Sequence, residues 1–198
     1  TLISPKRLQD LLRYDAPPAR LATVASIYTT TGGDIKAVMR GVLSQANLVN
    51  APAKFKRPYH LVMSGLRALQ PAVVANGVPT LTGQVNTVGQ LPFTWLTPDG
   101  FPDSVEYWSG NMLTRWNYAT FLTNANSATT VQFNVTPFMT PPTAAAIIAA
   151  INVAVFGGEM PSRLATELTS YVSTNPNSTS LVRETIGLAL SSSAFQYY

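Results

Sequence analysis

The sequence predicts an all-α protein of about seven helices in an irregular orthogonal bundle. Apolar residues recur at helical spacing through most of the chain, for example at Leu61, Val62, Leu66 and Leu69. Prolines and capping residues precede these stretches, and glycines or prolines follow several of them. Alternating patterns typical of strands are scarce. We therefore expect a single helical domain over residues 1–198.

The helices are predicted in chain order from their start and stop signals. Ser4 and Pro5 begin the first helix, and Pro18 begins the second after the breaker DAPPA. The motif TTTGGD at 29–34 ends that helix with glycine and caps the next with Asp34. Further helices are predicted at about 58–69, 110–122, 144–156 and 161–172, and from residue 181 towards Phe195.

Residues 71–108 interrupt this helical pattern. The segment is rich in proline and glycine and shows no helical period. Its valines and leucines, together with Phe93 and Trp95, make it too apolar for a solvated linker. We therefore expect one long, ordered, irregular excursion that lies across the helices, of the kind that often carries function.

The composition excludes several chemistries. The chain has no cysteine and one histidine, His60, so disulfides, thiol catalysis and metal sites built on cysteine or histidine are not expected. His60 and Ser64 are one helical turn apart, but no third member of a catalytic triad is recognisable. We expect no metal and no cofactor.

Charged residues make up only 11% of the chain, against roughly 25% in an average soluble protein. Either serine, threonine and asparagine provide most of the polar surface in place of charged residues, or a partner covers part of the surface. The first 70 residues hold ten Lys and Arg against three acids, whereas residues 71–198 hold three against six. This basic half favours an acidic partner or an anionic surface. The predicted basic surface comprises Lys6, Arg7, Arg13 and Arg20.

No nucleic-acid partner and no membrane span are expected. The cluster KFKRPY at 54–59 is the nearest approach to a nucleic-acid site, and a solvated face, or pairing with the acidic second half of the chain, explains it better. The longest apolar run, residues 144–156, would span about 20 Å as a helix, short of the roughly 30 Å hydrocarbon core of a membrane. It predicts a buried core helix.

The segment TPDGFPDSVEYW at 97–108 is the most distinctive stretch and admits two interpretations. It is either a rigid connector whose aromatics pack on the following helix, or a cleft that binds a partner or a glycan. In the second case Asp103 and Glu106 form a carboxylate pair, or Asp99 and Asp103 hold calcium. Arg115 is expected to tether the loop. The candidate binding residues are Trp95, Asp99, Phe101, Asp103, Glu106, Tyr107, Trp108, Arg115 and Trp116.

Several motifs resemble one protein family in order and spacing. They are YTTTGGDIKAVMRGVLSQ (28–45), KFKRPYHLVMSGLRAL (54–69), GQLPF followed by TPDGFPD and YW (89–108), GNMLTRWNYA (110–119) and LALSSSAFQYY (188–198). Together they resemble the C-terminal part of the bacterial family called domain of unknown function 1800. The resemblance implies a helical, exported chain, the mature or C-terminal part of a longer precursor, in the periplasm or outside the cell. It implies no activity.

The sequence thus predicts a non-enzymatic extracytoplasmic binding module. We expect an accessory or structural subunit docked on other protein subunits of a larger complex, with a membrane-bound complex as a natural candidate. The alternative is a carbohydrate-binding or carbohydrate-active protein of the cell surface that uses the aromatic and acidic region 95–116.

Overall fold

The structure, a computed structural model, describes Tyr14 and residues 17–198. It is 61% helical, with eleven α-helices in the described part and one two-stranded sheet, so the all-α prediction is confirmed. The α-helices, labelled in chain order, are α1 (Pro18–Thr30), α2 (Ile35–Val42), α3 (Gln45–Val49), α4 (Pro58–Leu69), α5 (Gly77–Thr87), α6 (Val105–Ser109), α7 (Met112–Asn124), α8 (Ala144–Phe156), α9 (Ser162–Val172), α10 (Thr179–Ser191) and α11 (Ser193–Gln196).

The chain divides into two compact units. Among the described residues, the first unit contains Tyr14, residues 17–55, Asp103–Val105 and Tyr198, and the second contains Lys56–Pro102 and Glu106–Tyr197. The first helix predicted from the sequence, with Ser4 and Pro5 at its start, lies outside the described residues.

The first unit is built on the helix pair α1 and α2. Pro18 begins α1, where the missing amide hydrogen of proline costs nothing. Gly32 and Gly33 then take left-handed backbone angles, as the predicted stop signal requires. The Asp34 side chain accepts hydrogen bonds from the amides of residues 36 and 37, so it caps α2 as expected. Val24, Val38 and Val42 form the core of this unit.

A buried ion pair completes the first unit. Nζ of Lys54 lies 2.7 Å from Oδ2 of Asp103, and the Lys54 side chain is 3% exposed. The same ammonium lies 4.9 Å from the ring centre of Tyr14, whose hydroxyl donates to the carbonyl of Phe55. Lys54 also exchanges two backbone hydrogen bonds with Tyr198, of 2.8 and 2.9 Å. Asp103 is therefore part of the packing of this unit.

The second unit has α7 at its centre. α10 packs along α7, and α4, α8 and α9 surround this pair. Gly65 of α4 allows the close approach, because a Cβ there would lie 3.1 Å from Leu122 and 3.2 Å from Tyr118. The hydroxyl of Tyr118 donates to the carbonyl of Val62 at 2.8 Å, and burial raises the pKa of this phenol.

A small sheet and a short 3-10 helix complete the second unit. The strands β1 (Ala72–Val73) and β2 (Val131–Gln132) are antiparallel, and Val73 lies opposite Val131. A 3-10 helix follows at Thr136–Met139. The apolar helix α8 is capped by the Thr143 side chain and ends at Gly157 in a left-handed conformation.

The predicted irregular excursion at 71–108 is wrong in its first half. Residues Gly77–Thr87 form the helix α5, and β1 precedes it. Valine, threonine and glycine in α5 have low helix propensity, so the local pattern conceals the helix. Burial of Gly77 and Val85 stabilises it instead. The segment from residue 89 to residue 104 is irregular, as predicted.

Candidate functional site

An aromatic cluster of the second unit holds the irregular segment in place. The ring centres of Trp95 and Phe101 lie 4.9 Å apart, and those of Tyr107 and Trp108 lie 4.6 Å apart in an edge-to-face arrangement. The indole N–H of Trp108 donates to the carbonyl of Pro102 at 2.7 Å. These contacts all join residues within the range 95–108.

Two apolar side chains protrude from this segment, and we call Phe93 and Leu96 the apolar ridge. Phe93 is 105% exposed and Leu96 is 99% exposed. Phe93 also has a φ of 65°, in the left-handed region that a bulky side chain rarely adopts. The turn around it is closed by the amide and the hydroxyl of Thr94, which both bond to the carbonyl of Leu91. The backbone thus holds a large ring in water at a conformational cost.

A cavity of about 440 Å³ lies beside the apolar ridge, at the N-terminal end of α4. The side chain of Gln90 is buried, and its Oε1 accepts a hydrogen bond of 3.0 Å from the amide of Tyr59. This bond satisfies one of the amides that a helix leaves unpaired at its start. The cavity is lined by Arg57, Tyr59, His60, Gln90, Pro92, Phe93 and Phe101.

The acidic residues of the predicted site have separate roles. Oδ1 of Asp99 accepts hydrogen bonds from the indole of Trp95 and from the hydroxyl of Thr97. Asp103 is paired with Lys54. The predicted helical face shared by Asp103 and Glu106 is wrong, because α6 begins at Val105 and only Glu106 lies in its first turn. The catalytic carboxylate pair therefore lacks its geometric basis.

Two residues predicted to bind a ligand are buried instead. Trp108 is 4% exposed, so its ring packs in the protein and offers no face to a glycan. Arg115 is 1% exposed, and its Nη1 donates to Oε1 of Gln196 at 3.1 Å. The Trp108 ring contacts Phe101 and Tyr107, which are close in sequence, whereas the partner of Arg115, Gln196, lies 81 positions away. Of the predicted set, Trp95 and Phe101 are half-buried, whereas Asp99, Glu106, Tyr107 and Trp116 are exposed.

A groove of about 980 Å³ lies among α7, α9 and α10 of the second unit. Trp116 is 46% exposed there, and its indole N–H donates to the carbonyl of Ser191 at 3.2 Å. On the facing wall, the hydroxyl of Tyr171 donates to Oε2 of Glu184 at 2.8 Å. This hydrogen bond raises the pKa of Tyr171. Trp116 thus belongs to a different surface from the aromatic cluster around Trp95.

The predicted basic surface is described only in part. Lys6, Arg7 and Arg13 lie outside the described residues, and Arg20 is half-buried on α1. In the cluster KFKRPY, Lys54 and Lys56 are only 2% and 8% exposed, so these two lysines form no solvated face. Lys54 is instead paired with Asp103 of the acidic second half, which is the other alternative that the sequence left open. Burial lowers the pKa of Lys56 to about 8, and its Nζ lies 3.7 Å from the ring centre of Phe195.

Sequence reasoning missed the apolar ridge and the buried Gln90. One local signal points to the ridge, because Pro92 occupies the second position of a four-residue turn whose third position, Phe93, is left-handed. No local signal reveals Gln90, whose partner Tyr59 lies 31 residues earlier. His60 and Ser64 lie one turn apart on α4, as predicted.

The described part of the chain contains neither a cluster of metal ligands nor a helix that could span a membrane. No group of three or more His, Asp or Glu residues lies close enough to hold a metal ion in the part that the structure describes. Among the same residues, no helix combines the length and the apolar character needed to cross a membrane. The apolar helix α8 is instead half-buried, with Ile147, Ile148 and Ile151 in the core.

The fold and its surfaces define a helical protein whose described part includes an exposed apolar ridge, the cavity at α4 and the groove among α7, α9 and α10. The chain belongs to the DUF1800 family, described as proteins of unknown function, whose model matches residues 1–197. The family suggested by the sequence motifs is therefore confirmed over essentially the whole chain. No curated protein and no solved structure is a significant match to the chain.

Proposed function

We propose that this chain is a non-enzymatic binding module that docks on a partner polypeptide through the apolar ridge and the cavity beside it. The observation that carries the proposal is the full exposure of Phe93 and Leu96 on an otherwise anchored segment. Large apolar side chains that protrude together are typical of interface anchors, and an aromatic anchor buried in a partner contributes roughly 2 kcal/mol or more.

Pre-organisation of the ridge supports the proposal. The irregular segment that carries it is fixed by Trp95, Phe101 and Trp108, and its turn is closed by hydrogen bonds to the carbonyl of Leu91. A ridge held in place loses little conformational freedom on binding, so more of its contact energy remains as affinity. The left-handed backbone at Phe93 costs conformational energy, and no packing of the exposed ring offsets this cost in the free chain. Contact of the ring with a partner would offset it.

The chemistry of the cavity indicates the kind of segment that would bind. Its walls are aromatic and apolar at Tyr59, Pro92 and Phe101, and they carry the guanidinium of Arg57. The N-terminal end of α4 adds positive partial charge on the same side. An apolar side chain next to a carboxylate matches this combination, so we propose an acidic-apolar segment of another protein subunit as the ligand.

We also propose a cellular location for the chain. The docked chain acts as an accessory subunit in the periplasm or at the cell exterior, on a complex that can be membrane-bound. A chain with few charged side chains suits a subunit whose surface is partly covered, and the absence of cysteine is compatible with this setting. Fractionation of the producing cells, followed by detection of the chain, tests this setting independently of the docking surface.

The docking surface is tested by the size of the native assembly. Gentle extraction followed by size-exclusion chromatography with light scattering is expected to show the wild-type chain in a complex heavier than the free chain. Phe93→Ser is expected to release it as the free chain. Val153→Ser, at a position 71% exposed on α8, is the matched control and is expected to leave the complex intact.

A photoreactive amino acid at position 93 gives a second readout. We expect one dominant adduct from position 93 and none from position 153. A wild-type chain that elutes alone, or a complex that survives Phe93→Ser, would refute the docking proposal. A complex that dissociates equally with Phe93→Ser and Val153→Ser would show that loss of any exposed apolar side chain weakens the complex, so the apolar ridge would not be the specific docking surface.

A further inference from the structure

The groove among α7, α9 and α10 carries a second, independent function. We propose that it binds a neutral, β-linked hexopyranose chain, with Trp116 and Tyr171 as stacking platforms. The proposal does not rest on docking through the apolar ridge, because the groove shares no lining residue with the cavity at α4. Its volume of about 980 Å³ is at the upper end of the range of small-molecule sites, which suits two or three sugar units.

The two aromatic rings are fixed and still accessible. Trp116 and Tyr171 are 46% and 39% exposed. The polar end of each ring is held by the protein, the indole N–H at Ser191 and the phenol at Glu184. The apolar faces therefore require no reorganisation before a ligand stacks on them. The C–H face of a pyranose ring is the complement of such a platform, and Leu188, 47% exposed, extends the apolar floor.

The polar lining suits a ligand rich in hydroxyl groups. Besides Tyr171 and Ser192, whose hydroxyls already donate to Glu184 and to the carbonyl of Ala189, the groove is lined by three hydroxyl-bearing residues, namely Thr120, Ser191 and Ser193. Within the described part of the chain, the structure records no side-chain hydrogen bond for these three hydroxyls. A hydroxyl both donates and accepts, so these groups can pair with sugar hydroxyls in either sense.

The charges of the groove favour a neutral ligand. The lining contains one guanidinium and one carboxylate, and Nε of Arg163 donates to Oε1 of Glu167 at 2.9 Å. Both side chains are exposed, at 90% and 58%, and their charges cancel. A phosphate or a uronic acid would gain little net attraction here. The paired guanidinium and carboxylate can instead form hydrogen bonds with two neighbouring hydroxyl groups of a sugar ring.

Titration calorimetry with cellohexaose tests the inference. Cellohexaose is an extended chain whose sugar rings expose flat apolar faces, so we expect saturable one-site binding with a Kd below about 1 mM. Trp116→Ala is expected to weaken binding at least tenfold, since a lost stacking platform removes most of the contact. Maltohexaose, a curved chain of the same sugar, is expected to bind more weakly.

Two further variants make the test decisive. Leu188→Arg, at an exposed position of α10, places a large side chain in the groove and is expected to abolish binding. It tests the groove independently of Trp116→Ala, in case that variant alters the fold. Phe93→Ser lies outside the groove and is expected to leave the Kd unchanged. Absence of binding at about 5 mM cellohexaose, or binding that neither groove variant weakens, would overturn the proposal.

Discussion

Nζ of Lys54 lies 2.7 Å from Oδ2 of Asp103, and both side chains are largely withdrawn from water, at 3% and 15% exposure. The two residues are 49 positions apart in the sequence. The carboxylate that the sequence offered as a ligand for calcium, a glycan or a partner is therefore committed to a buried ammonium. An ion pair of this kind is costly to break on one side only, because the remaining charge stays buried.

The first prediction concerns this ion pair. Asp103→Ala is expected to lower the free energy of unfolding by about 3 kcal/mol, because it leaves the Lys54 ammonium buried without its carboxylate. Glu167→Ala, which removes the exposed pair with Arg163, is the control and is expected to cost less than about 0.5 kcal/mol. Urea titration followed by circular dichroism measures both.

A double variant separates loss of attraction from an uncompensated charge. Lys54→Met combined with Asp103→Leu is expected to recover most of the stability lost in Asp103→Ala, since two apolar side chains of similar length need no partner. Equal destabilisation by Asp103→Ala and Glu167→Ala would show that burial of the Lys54 pair has no energetic consequence.

The second prediction compares two glycines of α5. A Cβ at Gly77 would lie 2.2 Å from the carbonyl oxygen of Thr130, whereas a Cβ at Gly83 meets no atom within 4 Å. Gly77→Ala is therefore expected to destabilise the protein by about 2–4 kcal/mol, because backbone must move. Gly83→Ala is expected to stabilise it by up to about 1 kcal/mol through helix propensity. Thermal unfolding of both variants is the measurement, and a stabilised Gly77→Ala would contradict the packing of α5.

The third prediction concerns pH and Lys56. Burial lowers the pKa of this amine from 10.5 to about 8, so in that interval the folded chain binds fewer protons than the unfolded chain. The free energy of unfolding contributed by Lys56 thus rises with pH between about 8 and 10.5, and the cost of burying its charge is largest below pH 8.

Lys56→Met removes this contribution and leaves the other titrating groups in place. Relative to Lys56→Met, the wild type is expected to gain about 1–2 kcal/mol between pH 7 and pH 10.5, once partial solvation of the amine is allowed for. Denaturant titrations at several pH values measure the difference. A difference that does not change with pH would mean that the amine is not desolvated in the folded chain.

The fourth prediction concerns calcium. Asp99 accepts hydrogen bonds from Trp95 and Thr97, and Asp103 is paired with Lys54, so each carboxylate already has protein partners. Calcium bound to the folded chain would raise the melting temperature by mass action. Since we expect no calcium site, neither about 5 mM calcium nor a chelator is expected to change the melting temperature by more than about 1 °C. Parvalbumin, a known calcium protein, serves as the positive control. A clear upward shift with calcium alone would revive the calcium hypothesis.

The sequence predicted those elements whose signals are local. Pro18 and Pro58 are the first residues of α1 and α4, and Thr143 caps α8, as their local signals predict, because proline and hydroxyl caps act within one turn. Helix α5 was missed because its residues have low intrinsic propensity and its stability comes from burial against residues such as Thr130 and Val131, about 50 positions away.

Exposure of the candidate site was less predictable than its position. Trp108 and Trp116 are both aromatic residues in the same part of the sequence, yet one is 4% exposed and the other 46%. What distinguishes them is their surroundings in three dimensions: the rings of Phe101 and Tyr107, which are close in sequence, pack against Trp108, whereas Trp116 lies beside the C-terminal end of α10, 75 positions away. A pattern of residue types along the chain contains no information of that kind.

The left-handed backbone at Phe93 has a consequence for selection. Glycine at this position would relieve roughly 1 kcal/mol of strain and would remove a ring that contributes no packing to the free chain. A laboratory library screened for heat resistance alone should therefore lose Phe93 early, whereas one screened for retention in the docked complex that we propose should keep it. The two screens would drive this single position in opposite directions, a conflict between stability and function that can be read by sequencing the survivors.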